Sequence, residues 1–332
     1  MWSGPWSSNK AFEKICGKPA VTPDLPSPDA AKKTDMKDMK KNTARAILMC
    51  AGEYEEMEIL RRAEDLVIAV DGGLPRLLAQ GMGPDLILGD FDSLGKDMFP
   101  FLEQAERGGE KKVLRLPVEK DDTDTIYAAK LCLEQGYRDF LIYGALGGRL
   151  DHTMANIQTL AWLKDRGARA FLVGKRTLVS VLRSEKLTFP EDFEGIFSLF
   201  ALDQRVTGVT LEGMKYPLRD AELTNSFPLG VSNEISPEIS SEISRGISSE
   251  VSCKISSEIS SQALSEISSQ TSSEISGGIS SGNSGGFSSG GSSSQRASVT
   301  VREGKALMIL TKSRGDFSAF DPEMFLRQTM DI

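Results

Sequence analysis

Two aspartates separated by one residue, Asp90 and Asp92, follow the short aliphatic run Leu86-Ile87-Leu88. Gly83-Pro84 precedes the run, which is typical of a buried strand with a turn at each end. In open α/β sheets, ligands bind at the carboxyl ends of strands, and Asp-x-Asp supplies hard oxygen ligands for a cation that also holds phosphate. The pattern predicts a magnesium site for a polyphosphate substrate. An alternative is a simple turn in which Asp92 or Ser93 caps a helix.

Three other groups place a charged side chain where a strand is predicted to end or a helix to begin. Asp71-Gly72-Gly73 combines a carboxylate with glycines that let a ligand approach the backbone, ahead of a helix N-terminus that favours anions. Thr123-Asp124 precedes an apolar-periodic helix, which it could cap while also presenting a carboxylate to a metal. Arg149 and Asp151 lie between a glycine turn and a helix. Together these groups predict a ligand site at one edge of a sheet.

Short apolar runs alternate with helical patterns over residues 44–184, which predicts an α/β domain. The expected strands cover residues 46–52, 66–70, 86–88, 112–116, 140–143, 170–173 and 177–182. The expected helices cover residues 54–63, 98–107, 126–134 and 153–164, with one more beginning near Pro75. Residues 185–332 lack long helical patterns, and their short runs at 189–202, 206–211, 215–216 and 297–311 predict a small all-β domain.

Two segments have no such pattern. Residues 1–43 mix Pro, Ser, Asp and Lys and are predicted to be a disordered leader. From residue 235 the chain repeats a unit close to Ser-Glu-Ile-Ser. A period of four drifts by about 40° per repeat on a helix, and serine is a weak helix former, so residues 235–296 are predicted to be a flexible Ser/Ile/Gly insert.

Composition excludes several classes of function. The net charge of −8 argues against a nucleic-acid surface. The four cysteines are scattered, and there is one histidine, His152, which argues against a zinc site. His152 is better interpreted as a structural residue at a helix start than as a general base. No run reaches the ~18 apolar residues of a membrane span, and the N-terminus lacks the apolar segment of a secretory signal, so we expect a cytoplasmic protein.

The nucleotide-binding motifs with fixed spacing are also missing. The chain has neither Gly-x-x-x-x-Gly-Lys-Ser/Thr nor Gly-x-Gly-x-x-Gly. The charged groups nevertheless form an ordered set with further segments: Asp71-Gly72-Gly73, residues 89–94, 120–124, 144–152 with Asn156, 213–218, Ser232-Asn233-Glu234 and 297–303. This set resembles the thiamine pyrophosphokinase family in content and order, from Ala44 to about Thr311 apart from the repeat.

The resemblance implies a Rossmann-like α/β domain that binds ATP, here residues 44–184, followed by a β-sandwich domain that helps to bind thiamine, here residues 185–332. It also implies a homodimer with sites at the subunit interface. The implied magnesium ligands are Asp90, Asp92, Asp124 and Asp71, and the implied catalytic groups are Asp71, Asp124, Arg149 and Asp151. The implied ATP contacts are Gly72, Gly73, Lys120, Thr123 and Arg149. Tyr216, Ser232 and Asn233 are implied to lie on the thiamine side.

The implied reaction is Mg²⁺-dependent transfer of pyrophosphate from ATP to the hydroxyl of thiamine, which yields thiamine diphosphate and AMP. The alternatives are an inactive homologue that binds thiamine or a nucleotide, and a related phosphotransferase acting on another primary alcohol. The repeat begins directly after Ser232-Asn233-Glu234, where the family has a short connection. Loop-closure entropy grows by only about 0.6 kcal/mol per doubling of length, so a flexible insert at this point need not unfold the domain.

Overall fold

The computed structural model describes residues 44–92, 94–108, 112–117, 121–244 and 296–329, which belong to two units. The first unit ends at Val181 and also includes Phe317–Phe320. The second consists of Leu182–Asp316 and the residues from Asp321 onward. The predicted leader, Lys120 and residues 245–295 of the repeat lie outside the described residues.

A mixed sheet flanked by helices forms the first unit. Its strands are β1 (Arg45–Met49), β2 (Leu66–Val70), β3 (Leu86–Gly89), β4 (Lys112–Arg115), β5 (Asp139–Tyr143), β6 (Arg169–Val173) and β7 (Thr177–Leu182). They lie in the order β7-β6-β5-β1-β2-β3-β4, with all neighbours parallel except β6 and β7. The helices are α1 (Leu74–Ala79), α2 (Phe99–Gly108), α3 (Asp124–Glu134) and α4 (Leu150–Lys164), with short 3-10 turns at Asp71–Gly73 and Lys96–Met98.

The central strands are buried along almost their whole length, as expected for a parallel sheet covered by helices. Arg45 begins β1 and is itself buried, with its guanidinium Nη2 2.5 Å from the Asp65 carboxylate. Asp65 immediately precedes β2, so this ion pair ties the starts of two adjacent strands together. The α/β prediction for this half is confirmed, including helices at 126–134 and 153–164.

The helix predicted over residues 54–63 is wrong, because this segment has no helix. Its buried side chains are Met57 and Ile59, two residues apart, which is the spacing of an extended chain. The Glu58 carbonyl accepts a hydrogen bond from the Ala319 amide at 2.7 Å. Tertiary contacts therefore override a local sequence with good helix propensity.

Antiparallel strands make up most of the second unit. They are β8 (Glu185–Thr188), β9 (Gly195–Ala201), β10 (Arg205–Glu212), β11 (Leu218–Thr224), β12 (Gly230–Ile235), β13 (Ser298–Val301), β14 (Ala306–Lys312) and β15 (Leu326–Thr329). Within this unit the neighbours are β12-β9-β14 in one set and β11-β10-β13-β8-β15 in the other. The prediction of strands in the second half is confirmed, and Phe189 packs at the centre of an aromatic core with Phe193, Phe197 and Phe325.

Two details of the second half differ from expectation. The short strand predicted at Lys215–Tyr216 is wrong, because these residues form the turn between β10 and β11. The repeat begins with a helix, α5 (Pro237–Ser244), where a flexible segment was predicted. Ser236 accepts a hydrogen bond from the Ile239 amide at 3.2 Å and thereby caps the helix, and proline is favoured in the first turn.

None of the helices in the described ranges is both long and apolar enough to span a membrane.

Candidate active site

Three carboxylates meet at the carboxyl edge of the sheet in the first unit. Asp71 follows β2, and Asp90 and Asp92 follow the adjacent parallel strand β3. One oxygen from each of the three lies within 4.8 Å of the others. We call these residues the acidic cluster. Their meeting follows from topology, because parallel neighbours end at the same edge of a sheet.

The backbone around the acidic cluster is in an unusual conformation. Asp71 and Phe91 have φ values of 47° and 64°, in the left-handed region that costs a non-glycine residue about 1 kcal/mol or more. The Phe91 side chain is only 2% exposed and lies 5.3 Å from the Arg115 guanidinium, which anchors the turn between the two aspartates. A Cβ at Gly89 would come within 2.9 Å of the Asp71 Cα, so glycine allows the two strand ends to approach this closely.

The donor set of the acidic cluster fits a magnesium ion. All its members are carboxylates, which are the hard oxygen ligands that Mg²⁺ prefers. The Asp92 amide donates to the Asp90 carboxylate at 3.2 Å, which holds the turn in shape. Like charges this close raise one another's energy unless a cation lies among them. The cluster is therefore suited to a divalent cation.

Asp124 stands outside the acidic cluster, at the first position of α3. Thr123 caps this helix by accepting a hydrogen bond from the Ile126 amide at 3.3 Å. Asp124 and Asp71 each contribute to raising the pKa of Cys50, at the end of β1, so Asp124 belongs to the same region of the sheet edge. Burial is the largest cause and raises the pKa of the Cys50 thiol to about 11.

Gly72 and Gly73 complete the 3-10 turn that Asp71 begins. Gly73 is buried against the backbone of Met49, where a Cβ would overlap the carbonyl group. This close approach is a packing requirement between β1 and the turn. Because Asp71 begins this turn, the same packing helps to hold one member of the acidic cluster in place.

Arg149 and Asp151 form an exposed ion pair at the start of α4, with 2.6 Å between the Arg149 Nη2 and the Asp151 carboxylate. Their side chains are 70% and 64% exposed, so the pair contributes little to stability. The hydrogen bond from Arg149 lowers the pKa of Asp151. Asn156 holds the preceding turn by donating to the Ala145 carbonyl at 2.8 Å. The pair thus presents both charges to solvent from a fixed helix start.

The sequence reasoning missed Arg76, which lies in α1. Its guanidinium donates to the carbonyls of Cys50 and Ala51 at 2.6 and 3.0 Å. Cys50 and Ala51 leave β1, which lies between β2 and β5 at the point where the strand order reverses. Ligands bind at such switch points in open α/β sheets. The only sequence signal for this placement of Arg76 is a cation shortly after Asp71-Gly72-Gly73.

Tyr216, Ser232 and Asn233 all lie in the second unit. The Tyr216 side chain is 47% exposed in the turn between β10 and β11. Asn233 is buried in β12 and hydrogen-bonds to both the amide and the carbonyl of Tyr216, at 2.9 and 2.7 Å. Ser232 is exposed and has a φ of 61°, and its amide donates to the Ser198 hydroxyl at 3.0 Å. The structure therefore brings these three residues into one region of the second unit.

Two family models match the chain. The first is described as the thiamin pyrophosphokinase catalytic domain and matches residues 57–172. The second is described as the thiamin pyrophosphokinase vitamin B1 binding domain and matches residues 184–246. Among solved structures, the chain is similar in fold to the thiamine pyrophosphokinase of Bacillus subtilis, with a TM-score of 0.56, 22% identity and coverage of 82% of this chain and 100% of that one. A thiamin pyrophosphokinase structure from Candida albicans has a TM-score of 0.54 at 14% identity, covering 81% of this chain and 90% of that one.

Curated relatives add sequence identity to the likeness in fold. The chain is 26% identical over 200 residues to "Thiamin pyrophosphokinase 1" of Caenorhabditis elegans, covering 55% of this chain and 79% of that protein. It is 32% identical over 174 residues to the thiamine pyrophosphokinase of Bacillus subtilis, covering 51% of this chain and 78% of that protein. Both family domains are present in order, and the chain belongs to the thiamine pyrophosphokinase family.

Proposed function

We propose that the chain catalyses Mg²⁺-dependent transfer of a pyrophosphate group from ATP to the hydroxyl of thiamine, giving thiamine diphosphate and AMP. The observation that carries this proposal is the acidic cluster of Asp71, Asp90 and Asp92 at the carboxyl edge of the sheet, in a chain that belongs to this family. Such a cluster suits a substrate that arrives with polyphosphate and a divalent cation.

Asp90 and Asp92 would hold Mg²⁺ together with Asp71, and Asp124 is a candidate further ligand from the start of α3. When bound, the ion would neutralise charge on the phosphate oxygens of ATP. Thr123 and the first turn of α3 offer a helix N-terminus to a phosphate group. Gly72 lets the nucleotide approach the backbone, and the buried Gly73 supports this turn by packing on β1. Arg149 supplies a positive charge for the transferred group.

The reaction forms a bond between the thiamine hydroxyl oxygen and the β-phosphorus of ATP. It breaks the bond between that phosphorus and the oxygen bridging to the α-phosphate, and AMP leaves. The hydroxyl proton needs an acceptor, and Asp71, Asp124 and Asp151 are the carboxylates available for that role. Positioning and charge neutralisation provide most of the rate enhancement in transfers of this kind.

Tyr216, Ser232 and Asn233 form the thiamine side of the proposal. The exposed Tyr216 ring offers an aromatic surface to the rings of thiamine. The two units would be the Rossmann-like ATP-binding domain and the β-sandwich thiamine-binding domain of the family resemblance. A homodimer with sites at the subunit interface and a cytoplasmic location belong to the same proposal.

The test uses the purified full chain with thiamine, Mg²⁺ and ATP labelled in separate reactions at the α- or the γ-phosphate. We expect γ-label in thiamine diphosphate and α-label in AMP, both dependent on thiamine and abolished by a chelator. Thiamine monophosphate with ADP would instead indicate phosphoryl transfer. Faster turnover of another primary alcohol in direct competition would show that thiamine is not the substrate, and nucleotide binding without product would indicate an inactive homologue.

A further inference from the structure

We infer that Asn233 is a positioning residue, which holds the backbone of Tyr216 so that the tyrosine ring meets the substrate in a fixed orientation. This inference rests on the proposed function, because it assigns to Asn233 an indirect role in binding thiamine. Asn233 and Tyr216 are 17 residues apart in sequence. Their contact therefore depends on the tertiary structure of the second unit.

The Asn233 amide uses all of its hydrogen-bonding capacity inside the protein. Its Oδ1 accepts from the amides of Tyr216 and Glu234, both at 2.9 Å. Its Nδ2 donates to the Tyr216 carbonyl at 2.7 Å and to the Met214 sulfur at 3.7 Å. An asparagine amide offers two acceptor and two donor positions, and here all of them are occupied. The side chain is 5% exposed, so no capacity is left for a direct contact with substrate.

A bulge in β12 aims Asn233 at this turn. The pairing with β9 shifts register between Gly230 and Asn233, which pair with Leu199 and Phe197. Two residues of β12, Val231 and Ser232, thus lie opposite one residue of β9, Ser198, and the extra residue is accommodated by the left-handed conformation of Ser232. Bulges of this kind redirect side chains next to functional sites.

The turn has a second attachment to the same strand. The Lys215 amide donates to the Glu234 carbonyl at 3.0 Å, and the Lys215 Nζ lies 2.6 Å from the Glu234 carboxylate. The backbone of residues 215 and 216 is therefore fixed on β12, while the Tyr216 ring remains half exposed. A ring held on a fixed backbone loses less conformational entropy when a ligand binds.

A double-mutant cycle tests whether Asn233 acts through Tyr216. The four proteins are the wild type, Asn233→Ala, Tyr216→Ala and the double variant, with thiamine KM, ATP KM and kcat measured for each. We expect Asn233→Ala to raise the thiamine KM about tenfold, which corresponds to the loss of buried hydrogen bonds, and to leave the ATP KM within about twofold. In the Tyr216→Ala background the same substitution should have no further effect on the thiamine KM.

The control is Asp220→Asn, which removes the charge of an exposed ion pair with Arg302 in the same unit and should leave all constants unchanged. If Asn233→Ala multiplies the thiamine KM equally in both backgrounds, Asn233 contacts the substrate directly and the inference is overturned. An unchanged thiamine KM, or equal losses in both KM values and kcat, overturns it as well. If Asn233→Ala does not fold, the isosteric Asn233→Asp keeps the two acceptor bonds, removes both donors and completes the same cycle.

Hydrogen exchange separates this inference from the proposed function, because it does not need turnover. The Tyr216 amide should be protected in the wild type and should exchange about tenfold faster in Asn233→Ala. If the wild type makes no thiamine diphosphate but the amide responds in this way, the proposed function fails, while the role of Asn233 in holding the Tyr216 backbone is supported. Equal exchange in both proteins would contradict that role, whatever the activity.

Discussion

The acidic cluster in the first unit and the Tyr216–Asn233 contact in the second use polar side chains in opposite ways. At the sheet edge, Asp71, Asp90 and Asp92 bring like charges within 4.8 Å of one another. In the second unit, the Asn233 amide is matched donor for acceptor by its own chain. Cation binding should stabilise the acidic cluster. The hydrogen-bonding groups of Asn233, in contrast, already have partners within the protein. Substitution in the acidic cluster should therefore lower activity without lowering stability, whereas substitution of Asn233 should lower both thiamine binding and stability.

The largest expected effect is that of Asp92→Asn. Asp92 is exposed, so the fold should remain intact, and the loss of one magnesium ligand should lower kcat by about 10³-fold or more. Without metal, the melting temperature should be unchanged or higher, because one of three like charges has been removed. Added Mg²⁺ should raise the melting temperature of the wild type more than that of the variant. Steady-state formation of thiamine diphosphate and thermal unfolding with and without Mg²⁺ measure both effects.

The matched control for Asp92→Asn is Asp97→Asn. Asp97 is an exposed aspartate in the 3-10 turn Lys96–Met98 and lies outside the acidic cluster. It should leave kcat and the response to Mg²⁺ unchanged. Near wild-type turnover by Asp92→Asn would contradict the magnesium assignment, and an equal loss in both variants would point to a general effect of charge.

A second prediction concerns Arg149, at the start of α4 in the first unit. Arg149→Gln should lower kcat by about 10²-fold, because a charge-assisted contact with the transferred group is lost. The free energy of unfolding should stay close to that of the wild type, because the ion pair with Asp151 is exposed. Urea unfolding and steady-state kinetics are measured on the same preparations. A fall in stability with kcat preserved would make Arg149 a structural residue.

The acidic cluster and the strands of the first unit were more predictable from sequence than the second unit. Buried parallel strands such as Leu66–Val70 are continuous apolar runs, and an aspartate directly after such a run must lie at the ligand-binding edge. Asp71 and Asp90 meet because β2 and β3 are neighbours in the sheet. Consecutive strands joined by a short connection are usually adjacent, so this arrangement was the simplest one to expect.

The second unit was harder to predict, for two physical reasons. β11 (Leu218–Thr224) is largely exposed, so it has no apolar alternation to mark it as a strand. The role of Asn233 depends on a bulge and on hydrogen bonds across 17 residues, and no local pattern encodes either. The helix predicted over residues 54–63 was wrong for a related reason, since the Glu58 carbonyl accepts its hydrogen bond from Ala319, far away in sequence.

The start of the repeat adds a hydrogen bond to those that hold the turn carrying Tyr216. The Ser240 hydroxyl in α5 donates to the Gly213 carbonyl at 3.3 Å, at the beginning of the turn that carries Tyr216. Deleting residues 246–294 keeps α5 and should leave the thiamine KM within about twofold of wild type. Deleting residues 236–294 also removes α5 and should raise the thiamine KM about three- to tenfold, with the ATP KM unchanged.

Ser240→Ala in the full chain isolates the hydrogen bond from the change in length. It should reproduce most of the thiamine KM effect of the longer deletion. If both deletions behave alike, α5 does not support the turn, and the two parts of the repeat have equivalent effects on thiamine binding.

The smallest expected effect is on stability at alkaline pH, and it concerns Cys50, which lies close to Asp124 and Asp71. Burial raises the pKa of Cys50 from 9.0 to about 11, with Asp124 and Asp71 adding to the shift and the Thr125 hydrogen bond opposing it. A folded-state pKa above the unfolded value means that the protonated thiol stabilises the fold. This contribution is complete below pH 9 and is lost as the pH rises through 11, by up to about 2–3 kcal/mol. Urea unfolding of metal-free protein between pH 8 and 11 should therefore show a steeper loss for the wild type than for Cys50→Ala. Parallel losses of stability in the two proteins would mean that the Cys50 thiol titrates at its ordinary pKa. Burial and the neighbouring carboxylates would then not raise it.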